Sequence, residues 1–236
     1  MEGERQRLII DSLSESLRLF AGTDFAQAAM SRTLPPDFSR ARLLDDLAGF
    51  RVRFPPSPLR ERMLGEPDFL AKVTSESRIR EWEISRHVLV AVLQALESRG
   101  IDFARDAALL RYSFAHTGSA ALAMAAVFPT AGGFGVDLEP VGREISDAAF
   151  ARFHRAPELE FLTDRLDHWV LKEAAYKAHP RSSETIVADY EITSRVSDSG
   201  EFALVCRKGE PVVFRAIIGS TEGFRFAFAE TSARAN

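Results

Sequence analysis

The chain has 236 residues, 46% of them apolar and 27% charged, with a formal net charge of -4. That is enough for one large domain or two small lobes with a sizeable core, and the mildly acidic balance argues against a protein that coats nucleic acid. The single cysteine, Cys206, excludes an intrachain disulfide and fits a reducing compartment.

Arg5 to Phe20 carries Leu8, Ile9, Leu13, Leu17 and Phe20 at helical spacing. A polar, proline-containing stretch follows, then a short helix over 40–47. Phe54-Pro-Pro-Ser-Pro58 is read as irregular, because proline lacks a donor and restricts its predecessor. The opening residues mix acids and bases without a long apolar core, so no secretory signal is read there. No apolar run reaches membrane-spanning length, and the expected location is the cytoplasm.

The first strong helix runs over 75–98, with Ile79, Trp82, Leu89, Val92, Leu93 and Leu96 as its apolar face and Gly100 as its stop. Lys72, Arg78, Arg80 and Arg86 crowd its N-terminal half. Their plain reading is a solvated face countered by Glu76, Glu81 and Glu83; the alternative is an anion site using Arg78 and Arg86. Residues 109–115 read as a strand and His116-Thr-Gly-Ser119 as a tight turn. The apolar run 120–128 is helix or strand by composition, and the flanking turns favour strand. His116, Thr117 and Ser119 either bond to their own turn or offer donors to a phosphate.

The glycines and proline of 129–133 mark a seam, giving lobes 1–130 and 131–236. Phe134 to Leu138 is a strand ended by Pro140. Alternation puts Asp137 and Glu139 on one side and turns Val136 and Leu138 to the core. Short helices follow at 146–153 and from Pro157. A longer one starts at Thr163 or Asp164 and reaches Ala178, where His179-Pro180 stops it. On it, Trp169, Glu173 and Lys177 form a stripe at four-residue spacing. Residues 184–193, 202–207, 211–219 and 223–229 read as an antiparallel meander, so the fold class is α+β.

Hard divalent cations take carboxylates, and lysine suits phosphate as a point charge. Asp137 and Glu139 from the strand and Glu173 from the helix are therefore candidate cation ligands, with Lys172 and Lys177 beside them for a pyrophosphate. Separately, each piece has a plainer reading: a solvent-facing strand, a surface ion pair, a core tryptophan.

Three segments together change that weight. GVDLE at 135–139, W-x-x-K-E-A-x-x-K at 169–177 and Ser113-Phe-Ala-His-Thr-Gly118 stand in the order and spacing of the 4′-phosphopantetheinyl transferase superfamily, and the chain resembles its larger, pseudo-two-fold branch over roughly 75–180. The resemblance implies two similar α+β lobes with coenzyme A between them. It implies transfer of 4′-phosphopantetheine to a serine hydroxyl of an apo acyl or peptidyl carrier protein, releasing 3′,5′-ADP, by a monomer with no nucleic acid or membrane partner.

Carried over by motif, Asp137, Glu139 and Glu173 hold Mg²⁺ (with Mn²⁺ as its substitute) and Glu173 is also the base for the carrier serine. Lys177, assisted by Lys172, neutralises the pyrophosphate. His116 and Thr117 bind the 3′-phosphate, and Arg86 with Arg78 forms a second phosphate anchor. Ala115 stands where the family has serine, and Ser85 where its E-x-x-x-G-R helix has glycine. The alternative reading is a coenzyme A-binding homologue without transfer.

Overall fold

Two antiparallel sheets, each covered by one long helix, form two units, Met1–Thr130 and Ala131–Asn236. The computed structural model describes residues 14, 15, 17, 26–65, 69–118, 120–127, 132–197, 200–221 and 223–231. The helix expected over 5–20 and Ser119 of the expected turn lie largely or wholly outside these residues.

Unit 1 begins with β1 (Ala26–Ser31). The helices α1 (Arg40–Arg53), α2 (Pro58–Leu64), α3 (Phe69–Lys72), α4 (Glu76–Ser98) and α5 (Phe103–Asp106) follow. The strands β2 (Leu110–Thr117) and β3 (Ala120–Val127) complete it, in the order β1-β3-β2, all antiparallel. α1 starts at Ser39, whose side chain accepts a hydrogen bond from Arg42 N, and it runs two turns beyond the expected 40–47. Residues 54–58 contain the cap of α2, with Pro58 in the first turn, where its missing N–H costs nothing.

β1 is a strand that the sequence does not advertise. Its six residues, AQAAMS, carry no β-branched side chain, yet all six are buried. β3 is equally alanine-rich and buried in all but its last residue. Small side chains let α4 settle close to the sheet, and burial overrides weak strand propensity. The core then joins Leu89, Val92, Leu93 and Leu96 of α4 to Ala121, Ala123 and Ala125 of β3 and to Phe50 and Phe54.

Unit 2 contains β4 (Phe134–Pro140), α6 (Asp147–Phe153), a 3₁₀ turn (Ala156–Glu160) and α7 (Arg165–Ala178). Then come β5 (Tyr190–Ser197), β6 (Glu201–Cys206), β7 (Val212–Thr221) and β8 (Phe224–Thr231). The sheet order is β4-β8-β7-β6-β5. β5 starts at Tyr190 and not at 184, because short 3₁₀ turns fill 182–189. In both units the first strand is an edge strand paired antiparallel with the last. Among the described residues no helix is long and apolar enough to cross a membrane.

α7 is capped by Asp164, whose carboxylate accepts from Leu166 N and Asp167 N, an arrangement worth about 1 kcal/mol. It buries Val170, Leu171, Ala174, Ala175 and Ala178 against Ala216, Ala227 and Ala229. Ala227 and Ala229 lie opposite Asp137 and Gly135 in the β4–β8 register and so share their face. Alternation along β4 holds, and Val136 and Leu138 are buried in the core as expected; the carboxylate side is buried too, and it is the side that α7 covers. The small residues Gly133, Gly135, Ala227 and Ala229 are what allow a helix to approach there.

Candidate functional site

β4 and α7 run antiparallel and diverge. Their backbones touch at one end, where a Cβ on Gly135 would stand 2.1 Å from Ala174 O and one on Gly133 1.5 Å from Ala178 O. Two residues further along β4 the gap takes one side-chain pair: Lys177 Nζ donates to Asp137 Oδ1 at 2.7 Å. At Glu139 it admits a tryptophan, whose Nε1 donates to Glu139 Oε1 at 3.1 Å. The strand face Gly135-Asp137-Glu139 and the helix stripe Trp169-Glu173-Lys177 thus meet along the opening edge of this wedge.

Asp137 is 5% exposed, and among the described residues its Oδ2 is buried without a hydrogen-bond partner. Burial pushes its carboxyl above the usual range, against the pull of Lys177. Glu173, half-buried, is pushed up by the same desolvation and then by the charge of Asp137, while Lys177 and Arg143 oppose. Among the described residues Glu173 has no hydrogen-bonding partner of its own. Glu139 is already engaged by Arg143, whose guanidinium also lies 5.2 Å from the centre of the Trp169 ring. Among the described residues no three His, Cys, Asp or Glu side chains stand close enough together to hold a metal ion as they are. The donor set nevertheless fits a hard cation: an orphaned carboxylate oxygen on Asp137 and, among the described residues, an unpartnered carboxylate on Glu173, whose ionisation the charge of Asp137 makes costlier.

Lys172 is placed elsewhere. It is wholly buried, and its Nζ donates to Phe153 O at 2.6 Å and to Glu158 at 2.7 Å. The structure therefore sets Lys177 and Glu173 beside Asp137, leaves Glu139 with Arg143 and Trp169, and holds Lys172 in the core.

In unit 1, Arg86 is 7% exposed and lies between two rings, 5.7 Å from the centroid of Trp82 and 4.8 Å from that of Phe114. Among the described residues its Nε is buried without a partner. Desolvation lowers its pKa to about 10, and no carboxylate is among the groups that offset this. A buried guanidinium without a counter-ion is costly, and a bound anion would repay it. Gly65 closes over it, since a Cβ there would come 3.3 Å from the Arg86 Nη2.

His116 and Thr117 end β2 and are not in a turn; the turn begins at Gly118, with φ +44°. Phe114 and His116 share one face of β2, and His116 Nδ1 comes 4.0 Å from Glu81, on α4 like Arg86. Arg78 is exposed and stands about 12 Å from Arg86 along the helix axis. The two departures noted in the sequence are both in the core. Ser85 is 2% exposed and donates to Trp82 O at 2.8 Å; Ala115 is 3% exposed.

Trp169 as a ligand of Glu139, Arg143 as its counter-ion and Glu158 as the partner of Lys172 were not singled out from the sequence. Arg143 could have been, as it stands four residues after Glu139. Comparison with protein-family models gives no match to this chain, and comparison with curated proteins gives none either.

Proposed function

We propose that this chain transfers 4′-phosphopantetheine from coenzyme A to a serine hydroxyl of an apo acyl or peptidyl carrier protein, with release of 3′,5′-ADP. The observation that carries the reading is the unpartnered, buried Oδ2 of Asp137 beside Glu173 and Lys177. The order of the three motifs supports it, as does the pairing, within each unit, of its first strand with its last.

On this reading Asp137 and Glu173 hold Mg²⁺, with Glu139 as third ligand once Arg143 yields. The ion would supply charge neutralisation at the pyrophosphate oxygens. Lys177 holds the pyrophosphate by its remaining donors. The serine oxygen attacks the phosphorus that carries the pantetheine arm, the bond from that phosphorus to the bridging oxygen of 3′,5′-ADP breaks, and the serine proton passes to Glu173, directly or through a water. Such a reaction asks the protein chiefly for alignment and charge. In unit 1, Arg86, His116 and Thr117 are the groups for the 3′-phosphate.

The engagement of Glu139 by Arg143 and Trp169 favours the second reading, a coenzyme A-binding homologue without transfer. Intact-mass measurement after incubation with coenzyme A, Mg²⁺ and a panel of apo carriers separates the two. Gain of the phosphopantetheine mass on one carrier class supports transfer. Tight coenzyme A binding with no carrier modified supports the second reading, and no binding at all sinks both.

A further inference from the structure

Glu158 is wholly buried and belongs to none of the motifs, yet its carboxylate is fully engaged. Oε1 accepts from Ile192 N at 2.8 Å and Oε2 from Arg155 N at 2.8 Å. Lys172 Nζ stands 2.7 Å from Oε1 and 2.8 Å from Oε2 and also donates to Phe153 O at 2.6 Å. One ion pair thus ties α7 to the end of α6, to the 3₁₀ turn and to β5. His168 is an ionisable neighbour of the pair, with Nδ1 3.8 Å from Oε2.

Two features point beyond core packing. A buried ion pair is a poor source of stability, since an uncharged pair of similar volume does as well or better; what it adds is direction. Here the direction leads to the site. Phe153, whose carbonyl takes Lys172, sets its ring edge-on to Trp169 with centroids 5.2 Å apart. Trp169 in turn donates to Glu139. Glu173 follows Lys172 in the chain, about 100° further round α7, so the rotation that seats Lys172 on Glu158 also turns Glu173 toward β4.

We propose that Glu158 is a positioning residue: through Lys172 it fixes the rotation of α7, and through Phe153 and Trp169 it sets Glu139, so that the three carboxylates present one geometry. The contact chain is independent of the reaction assigned above; only the consequence for a cation rests on that reading.

The test uses the full chain labelled with [¹⁵N]Trp. It contains two tryptophans, so Trp82 of unit 1 is an internal control for Trp169. The double variant Glu158→Gln/Lys172→Met removes both charges and keeps an acceptor for a backbone N–H. It is expected to melt within about 5 °C of the wild type, while the Trp169 indole N–H shifts and loses its protection from exchange and that of Trp82 does not. Mn²⁺ affinity, read from the free-ion spin signal, is expected to fall about 10-fold or more. A folded double variant with an unchanged Trp169 indole overturns the proposal. So does one that melts far below the wild type, because the pair is then a stabilising core contact. If the Trp169 indole moves as expected but the wild type binds no Mn²⁺, the positioning role stands and the cation reading falls.

Discussion

Asp137 gives one oxygen to Lys177 at 2.7 Å and leaves the other buried and unpartnered. The two partners are therefore not equivalent in what their removal does. Asp137→Asn removes a desolvated charge and leaves a half-exposed lysine free to find water. Its stability is expected within about 1 kcal/mol of the wild type, or above it, and on the proposed function its carrier modification is expected to fall by about 100-fold or more. Lys177→Met strands the carboxylate and is expected to cost about 1–3 kcal/mol. Urea denaturation and intact-mass assays of both variants check this; equal stability losses would contradict the asymmetry.

The pH dependence follows from the same pair of carboxyls. Asp137 and Glu173 are both raised by burial, so the folded state keeps their protons to higher pH than the unfolded chain does. Their contribution to stability is greatest below the ordinary carboxylate pKa, about 4, and is lost as pH rises through the raised values. A cation binds the deprotonated forms and acts in the opposite sense. The increase in melting temperature on adding Mg²⁺ is expected to be absent near pH 4 and to grow through the weakly acidic range. An increment that does not change with pH would exclude these two groups as the ligands.

Arg86 offers a complementary case, an uncompensated cation. Arg86→Met keeps an apolar stem between Trp82 and Phe114 and removes the buried charge. The variant is expected to be at least as stable as the wild type, since no carboxylate is among the groups that offset the desolvation. On the proposed function 3′,5′-ADP is expected to raise the melting temperature of the wild type, and the same change is expected to abolish that rise. A destabilised variant that still responds to 3′,5′-ADP would remove Arg86 from the anion site.

Much of the wedge was legible because its parts obey simple periods. Alternation set Asp137 beside Glu139, and the four-residue step set Trp169, Glu173 and Lys177 in one stripe. Which side of β4 the helix covers was not legible from alternation, since both faces are buried and glycine and alanine, not valine and leucine, choose it. Lys172 and Lys177 are five residues apart and look alike in a motif. One is drawn into the core by Glu158, a partner fourteen residues away that no local pattern marks. β1 escaped notice for the same kind of reason, as its alanines become a strand only under α4.

Gly135 tests whether the wedge depends on backbone contact. A Cβ there would meet Ala174 O at 2.1 Å and Ala178 N at 2.6 Å, and both atoms belong to the α7 backbone and its hydrogen-bond ladder. No side-chain rotation relieves such a clash, so Gly135→Ala must push α7 from β4, at a cost of about 3 kcal/mol or more. Gly142→Ala is the control, because nothing lies within 4 Å of its added Cβ; its effect is expected within about 0.5 kcal/mol. The displacement also lengthens the bond from Trp169 to Glu139, so the indole N–H of Gly135→Ala is expected to lose protection from exchange even where the protein stays folded. Matching urea midpoints for the two variants would show that the close approach at Gly135 does not set the geometry of the carboxylates.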